Sequence, residues 1–527
     1  MKRSRLMPIS FLVLFLSMLI FIQPAFPLID LPSLPKTVSA QTEFVANTTT
    51  GTATVECYTS PDSSYNVTLN YLRQAQKEIL MEMYAISNGF LLREFTDALG
   101  RNGTMNIQVI VSRKWASGSE NHWTHASLYN ISSLPGYGAN VQAYFSRADL
   151  SFDHAKFIII DREVVLVQSA NWAKSGIPPR NSDGNREWGV AIRNPDVVNY
   201  FLNVFTADVM TATPYVQDGD DYDLLSSAVY TGPYPAPFTN QTYSGLMTIT
   251  SLVSPNESIP AIVNLIDSAT STLDVQQMYS KMDWDGSPNQ FNDAIIAAAT
   301  RGVVCRVMLD NQSSGMQEVA EMFLANGVQV AFTNQTYFGW THNKGVIADG
   351  QSVLISSINW SNESVSENRE AGVIISHTGV ANYFAQVFQW DWEVGEFLGQ
   401  PVPVPTLSGP SQTTDGMVSL TWSITSGASD IDYYQLQVSN ASDFSLILSQ
   451  VDVTGTSRTV DLTSYGPGVY YFRVRAVNIN GTQSAWSNVV STTYQIPIPL
   501  EWIIIGTVAV IVVFVIIFFF NWFRKRR

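Results

Sequence analysis

Two histidines, each followed two residues later by a lysine, belong to one pattern that the chain spells twice. The first copy is His154-Ala155-Lys156, then Asp161, Ser169-Ala170-Asn171-Trp172 and Asn185-Arg186-Glu187. The second is His342-Asn343-Lys344, then Asp349, Ser357-Ile358-Asn359-Trp360 and Asn368-Arg369-Glu370. These residue types suit cleavage of a phosphodiester, which needs a nucleophile, a proton for the leaving oxygen and positive charge around the non-bridging oxygens. Imidazole titrates near neutral pH, so one ring can attack phosphorus while the other is protonated. Attack would give a phosphohistidine; the second histidine would protonate the leaving alcohol, then deprotonate incoming water or alcohol. Lys156, Lys344, Asn171 and Asn359 can hold the phosphate oxygens. A carboxylate behind each imidazole would fix its tautomer, and Glu187 and Glu370 are placed for that if the chain returns to the strand. This chemistry requires no metal and no cofactor, and no Cys/His cluster suggests one. His122 and His125 have a ligand-like spacing, but two histidines beside Trp123 read more simply as surface. The plain alternative for each His-x-Lys is a surface strand with two unrelated polar residues. Two copies, taking two of only five histidines in the chain, argue against it.

The flanking sequence says what must position these groups. Phe157 to Ile160 and Val164 to Val167 are apolar and β-branched, which predicts a strand, a tight turn and a second strand. His and Lys at i and i+2 then share a face. Residues about 55 to 208 and 250 to 395 are two copies of one unit. Each opens on a Ser-Pro turn (Ser60-Pro61, Ser254-Pro255), followed by a helical pattern and a strand ending in Met-Tyr (Met83-Tyr84, Met278-Tyr279). Each closes on Asn-Tyr-Phe-x-x-Val-Phe, at Asn199 to Phe205 and Asn382 to Phe388. Alternating strands and helices predict α/β units with mixed sheets. Each unit holds half of the polar constellation, so a face-to-face pair would complete it.

The rest of the chain bounds the setting. Residues 1-40 carry a basic start, an apolar run and small residues, and read as a signal peptide or N-terminal anchor. About a dozen N-x-S/T sequons follow, which suits an exported, glycosylated surface. Asn359 is formally one of them, but its apolar surroundings predict burial and no glycan. The boundaries read as 50-208 and 250-398 for the units and 209-249 for an inter-domain loop. That loop holds Asp218, Asp220, Asp221 and Asp223, an acidic cluster more simply solvated than cation-binding. A Pro-rich linker at 399-410 leads to short alternating strands over 411-495, a small all-β sandwich. Residues 502-523 form a transmembrane helix between Trp502 and Trp522, and 524-527 a basic cytoplasmic tail. The positive-inside bias puts everything before that helix outside the cytoplasm, at a cell membrane crossed once. Net charge is -15, which argues against a broad surface for nucleic acid. Cys57 and Cys305 are too few for a disulfide framework, and whether they pair stays open.

The duplicated H-x-K-x4-D pattern with S-x-N and N-R-E resembles the phospholipase D superfamily over roughly residues 55 to 395. Leu420-Thr421-Trp422, Tyr470 to Asn478 and Ser484-Ala485-Trp486-Ser487 resemble a fibronectin type III module. The first resemblance implies two pseudo-symmetric αβα sandwich domains with the active site at their interface. Carried onto matching positions, it makes His154 and His342 the catalytic pair, with His154 favoured as nucleophile. Lys156, Lys344, Asn171 and Asn359 would bind phosphate, Ser169 and Ser357 would support that phosphate-binding site as part of it, and Glu187 and Glu370 would orient the histidines. Asp161 and Asp349 would be structural. The family usually has Gly before the motif serine; here Gln168 and Ser356 stand there, and a larger side chain at 168 is expected to narrow the pocket. The implied function is a membrane-anchored phosphodiesterase acting on phospholipid. The alternatives are an extracellular nuclease, a phosphatidyl transferase of cardiolipin synthase type, or an adhesion protein whose fibronectin-like module binds a surface protein or glycan.

Overall fold

The computed structural model describes residues 44–526 except 115–121, 180–182, 218–236, 256–257, 399–401, 425–430, 479–482 and 498–499. The signal segment at 1-40 and the acidic cluster at 218 to 223 therefore lie outside the described residues. The first half runs β1 (Asn47–Ser60), α1 (Ser64–Gln74), β2 (Glu78–Met83), α2 (Gly89–Arg101), β3 (Asn106–Val111), α3 (His122–Ser132), β4 (Val141–Phe145), β5 (Lys156–Ile160), β6 (Val164–Gln168), β7 (Glu187–Arg193) and α4 (Pro195–Thr211). After a short edge strand, β8 (Thr213–Pro214), the second half repeats this order. It runs β9 (Gln241–Ser254), α5 (Ser258–Asp267), β10 (Thr272–Gln277), a small hairpin β11 (Asp283–Trp284) and β12 (Ser287–Pro288), and α6 (Gln290–Thr300). Then come β13 (Val304–Leu309), α7 (Met316–Ala325), β14 (Gln329–Phe332), β15 (Lys344–Ala348), β16 (Ser352–Ser356), α8 (Asn362–Ser366), β17 (Glu370–Ser376), α9 (Thr378–Val394) and β18 (Glu396–Phe397).

Among the described residues, sixteen strands form one sheet in the order β18-β14-β13-β10-β15-β16-β17-β9-β1-β7-β6-β5-β2-β3-β4-β8. The halves join where β1 pairs antiparallel with β9. At the middle of that ladder Thr52 faces Leu246, each eight residues before its Ser-Pro step, so a pseudo-twofold axis passes there. β9 begins at Gln241, inside the stretch read from sequence as loop. Its Thr- and Ser-rich start pairs with the equally polar start of β1 through Thr48–Thr250, Thr50–Thr248 and Thr54–Ser244 hydroxyl bonds of 2.8, 2.8 and 2.9 Å. One face of both strands is solvated there, which hides the apolar alternation that marks a strand.

Helices cover both faces of the sheet. α4 and α9 pack over the joint, where Phe201, Val204, Phe205, Phe384, Val387 and Phe388 enter one core with residues of β1, β5, β6, β7, β9, β16 and β17. The other face is covered separately in each half, by α1–α3 and by α5–α7. Each motif aspartate works at the far end of its hairpin. Asp161 accepts from the backbone N–H groups of Gln76, Lys77 and Glu78 at 2.8, 2.7 and 2.9 Å. Asp349 accepts from Thr270, Ser271 and Thr272 at 2.9, 2.8 and 2.8 Å. Cys57 and Cys305 are buried, unpaired thiols.

The C-terminal part is all β. Strands Thr406–Ser408, Met417–Ser423 and Ser457–Asp461 form one sheet; Gln412–Thr413, Val490–Tyr494, Gly468–Asn478, Ile431–Ser439 and Ile447–Val453 form the other. Trp422, Leu436, Phe472 and Val474 lie in the core between them. The first of these strands starts at Thr406, within the stretch expected to be linker. The last helix, α10 (Leu500–Arg524), contains the apolar segment Ile504–Arg524, whose most apolar 18 residues have mean hydropathy 2.9 and are not buried. It is long and apolar enough to cross a membrane.

The halves are also tied by two buried ion pairs. Arg369, just before β17, grips Asp208 of α4 at 2.8 and 3.0 Å. Arg186, just before β7, reaches Asp391 of α9 at 3.0 and 2.8 Å and Asp62 at 2.6 Å. Removing one partner of such a pair leaves an uncompensated buried charge. Arg369→Met is expected to cost roughly 3–5 kcal/mol in denaturant titrations of the full chain in detergent. A cost below about 1 kcal/mol, the range of exposed pairs, would show that the joint does not depend on it.

Candidate active site

The two motif copies meet edge to edge at the pseudo-twofold axis. The chain before β5 runs beside the chain before β17: His154 N–H donates to the Arg369 carbonyl at 2.7 Å, and Arg369 N–H to that of Phe152 at 2.9 Å. The mirror pair is His342 N–H to the Arg186 carbonyl at 3.0 Å and Arg186 N–H to that of Trp340 at 2.8 Å. Each His-x-Lys strand thus starts against the Asn-Arg-Glu segment of the other half.

The side chains exchange partners in the same way. His154 Nδ1 lies 2.8 Å from Glu370 Oε2. His342 Nδ1 lies 3.0 and 2.8 Å from the two oxygens of Glu187. The carboxylate behind each imidazole is therefore not the one from its own copy. Ser169 and Ser357 hold the glutamates, donating to Glu187 and Glu370 at 2.6 Å each and accepting from Trp188 N–H and Ala371 N–H at 3.0 Å each. Both serines are fully buried, and the hydroxyl of each is spent on its glutamate. Ser364 adds a further hydroxyl on Glu370 Oε1. Lys156 and Lys344 are fully buried and donate back to the His154 and His342 carbonyls, at 2.6 and 2.5 Å.

Asn171 and Asn359 follow the serines, and their buried Oδ1 atoms meet no donor. Asn359 is only 8% exposed, the burial that its apolar surroundings predict. Gln168 does not reach toward the histidines. It accepts from the Tyr58 hydroxyl and donates to the Ala170 carbonyl, both at 3.0 Å, so its amide is used inside the first half. Ser356 likewise donates to the Lys344 carbonyl at 2.9 Å. The expected narrowing of the pocket by Gln168 is corrected accordingly: its alternation on β6 sends it to the opposite face from Ser169. His125 packs edge-on against Phe145, with ring centroids 5.4 Å apart. Among the described residues no group of three or more His, Cys, Asp or Glu side chains is arranged to hold a metal.

The halves are not identical around the histidines. β2 places Met83 opposite Lys156, whereas β10 places Gln277 opposite Lys344. The two Met-Tyr steps are thus one residue out of register, and Tyr84 corresponds to Met278. Tyr84 stands edge-on to His154 with centroids 4.8 Å apart, and Lys156 Nζ lies 5.4 Å from the Tyr84 ring. Lys344 Nζ instead meets Met278 Sδ at 4.0 Å.

Burial pulls His154 down to about 4, against the opposing charge of Glu370. Burial lowers His342 too, against Glu187. Lys156 falls to about 7 and Lys344 to about 8, burial again being the larger cause. Burial alone would raise both glutamates, but the facing histidine, a lysine and the serine hydroxyl hold each below the ordinary range. The resulting couple is a neutral imidazole whose Nδ1–H donates to a carboxylate, which leaves the lone pair on Nε2.

Residues 68–209 and 262–392 match the family model described as "Cardiolipin synthase, PLD-like domain", and 403–493 match "Fibronectin type III domain". The first match covers more than half the chain: this protein belongs to the phospholipase D-like family. It is 27% identical over 207 residues to a probable phospholipase D of Caenorhabditis elegans, covering 37% of this chain and 35% of that protein. It is 30% identical over 103 residues to a mitochondrial cardiolipin hydrolase of Xenopus tropicalis, covering 19% of this chain and 47% of that protein. The chain thus spans between a third and a half of the length of these relatives. A solved phosphatidylserine synthase of Haemophilus influenzae aligns with TM-score 0.48 at 14% identity, over 65% of this chain and 88% of that one.

Reading from sequence named the histidines, lysines, serines and glutamates but missed Asp208 and Asp391, which anchor the arginines of Asn-Arg-Glu. A signal was there: each stands three residues after the last Phe of the closing repeat. The exchange of glutamates has a direct check. Glu370→Gln is expected to move the ring-nitrogen NMR resonances of His154, not those of His342. Movement confined to His342 would contradict the exchange.

Proposed function

We propose that this chain is a membrane-anchored phosphodiesterase that cleaves phospholipids through a phosphohistidine. The observation that carries this reading is the pair of crossed His–Glu couples, with a buried lysine beside each. His154 Nε2 attacks phosphorus, and the bond to the leaving alcohol breaks as His342 supplies its proton. His342 then takes a proton from water, whose oxygen attacks phosphorus and releases His154. Lys156 and Lys344 offset the charge of the non-bridging oxygens, helped by the amides of Asn171 and Asn359. An arriving phosphate anion favours the charged lysines and the imidazolium of His342, countering their burial. His154 is taken as the nucleophile because burial holds it neutral and the Tyr84 ring packs edge-on against it. Ser169 and Ser357 act by fixing the glutamates.

Phospholipid is favoured over nucleic acid by the acidic net charge of -15 and by α10, which would keep the site at a bilayer. The basic end of α10 would lie in the cytoplasm and the rest outside. The fibronectin type III module would act as a spacer or bind a surface protein or glycan. The test is to offer the full chain in detergent labelled phosphatidylcholine, phosphatidylglycerol, cardiolipin and single-stranded DNA, with and without chelator. Lipid cleavage that survives chelator is expected, since the lysines supply the charge a metal would bring. Cleavage of DNA alone would favour the nuclease, and alcohol-dependent exchange without hydrolysis would favour the transferase.

The pH profile follows from the site. His154 loses its lone pair as pH falls through about 4. As pH rises, His342, lowered by burial, gives up its acid proton first, and the lysines then lose charge through about 7 to 8. A bell-shaped kcat/KM is expected, with an acid limb near about 4 and an alkaline limb that these losses complete by about 8. A flat profile across neutral to alkaline pH would count against the lysines as the charge that binds phosphate.

A further inference from the structure

Glu82 lies on β2, on the face covered by α4. It is fully buried, and neither carboxylate oxygen meets a donor. Asp153, the residue before His154, is 1% exposed, and its Oδ2 also lacks a donor. The two carboxyl groups are within hydrogen-bond reach of each other. Two ionised carboxylates repel, whereas a carboxylic acid donates to a carboxylate. The charged groups facing them are Asp208 from α4, Arg369 from the segment before β17, and Lys156 from β5. Arg147 also lies 3.7 Å from Asp208.

The second half shows what this position needs. Glu82 stands opposite Phe157, next to the pairing of Met83 with Lys156; Gln276 stands opposite Gly345, next to the pairing of Gln277 with Lys344. Gln276 is thus the counterpart of Glu82. Its Nε2 donates to Asp391, the counterpart of Asp208, at 2.9 Å, and its Oε1 accepts from Asn343 at 3.2 Å. A neutral hydrogen-bond donor fills the position there. Thr341 stands where Asp153 does.

We propose that Glu82 and Asp153 hold one proton between them and act together as positioning residues for His154, the protonated Glu82 standing where the amide of Gln276 stands in the second half. The role for His154 rests on the phosphodiesterase reading; the shared proton does not. Asp153 bridges to Arg369, its Oδ1 accepts from Ala155 N–H at 3.4 Å, and the next residue is His154. A second full negative charge beside Asp208 would push this strap away from the segment that carries Glu370. Burial first, then the neighbouring carboxylates, raises Glu82 well above the ordinary range and Asp153 to about 7, with Arg369 opposing. The folded state therefore binds this proton more tightly than the unfolded chain. The pair's contribution to stability is full below about 4 and declines as pH rises, through about 7 for Asp153, while Glu82, raised well above the ordinary range, still holds the shared proton near neutrality.

The full chain in detergent tests this with wild type, Glu82→Gln, Glu82→Ala and Asp153→Asn. Infrared difference spectra near neutral pH should show a protonated carboxyl C=O band in wild type that Glu82→Gln and Asp153→Asn both lose. The fall of Tm with rising pH should flatten in the same two variants. Glu82→Ala should lower kcat about 10- to 100-fold at unchanged KM, the cost of misplacing a reacting group, and Glu82→Gln should restore most of it. If Glu82→Gln does not fold, Asp153→Asn carries the spectral test. A band that persists in the variants, or an unchanged slope of Tm with pH, overturns the proposal. Absence of turnover on any phosphodiester, wild type included, would sink the phosphodiesterase reading while the spectra and Tm still decide the proton.

Discussion

Each motif imidazole, His154 and His342, is held by a carboxylate from the other half of the chain, and most of the architecture serves that exchange. His154 meets Glu370 and His342 meets Glu187 only because the strand starts lie beside the opposite Asn-Arg-Glu segments. Those segments are fixed by arginines that reach across to Asp208 and Asp391 on the closing helices. The helices in turn pack on the joint between β1 and β9. A half on its own would have a histidine without its carboxylate; Arg369 would lose Asp208, and Arg186 would lose Asp391 and keep only Asp62. The site and the interface between halves are one structure, so loss of either should appear as loss of both.

Duplication made much of this legible. The spacing of His, Lys, Asp, Ser, Asn and Glu identified the chemistry, and its repetition implied two halves sharing one site. The strand–turn–strand of the first motif and the apolar final helix followed from hydrophobic pattern. The rest depended on distance in space. Nothing local to Glu187 says that its imidazole lies 155 positions away rather than in the same copy. β9 was obscured because its first residues face water on one side and read as polar loop. Gln168 looked like an obstruction because a glycine was expected before the serine, yet the pleat turns it toward Tyr58.

The two halves share a plan but not a set of neighbours. Tyr84 is replaced by Met278, Glu82 by Gln276 and Asp153 by Thr341. These exchanges surround His154 with an aromatic ring and a carboxyl pair while His342 has a thioether and amides nearby. In the proposed reaction one imidazole bonds to phosphorus while the other moves protons, and such differences would bias which ring takes which role.

That division of labour can be observed directly with a phosphatidyl ester of a good leaving group, such as nitrophenol, which departs without an acid. In His342→Asn, the account predicts a burst of about one equivalent of nitrophenolate, the signature of a covalent intermediate that cannot turn over. An acid-labile phosphoryl group should then map to the peptide containing His154. His154→Asn should give no burst. A burst and a labelled His342 in His154→Asn, with neither in His342→Asn, would contradict the assignment.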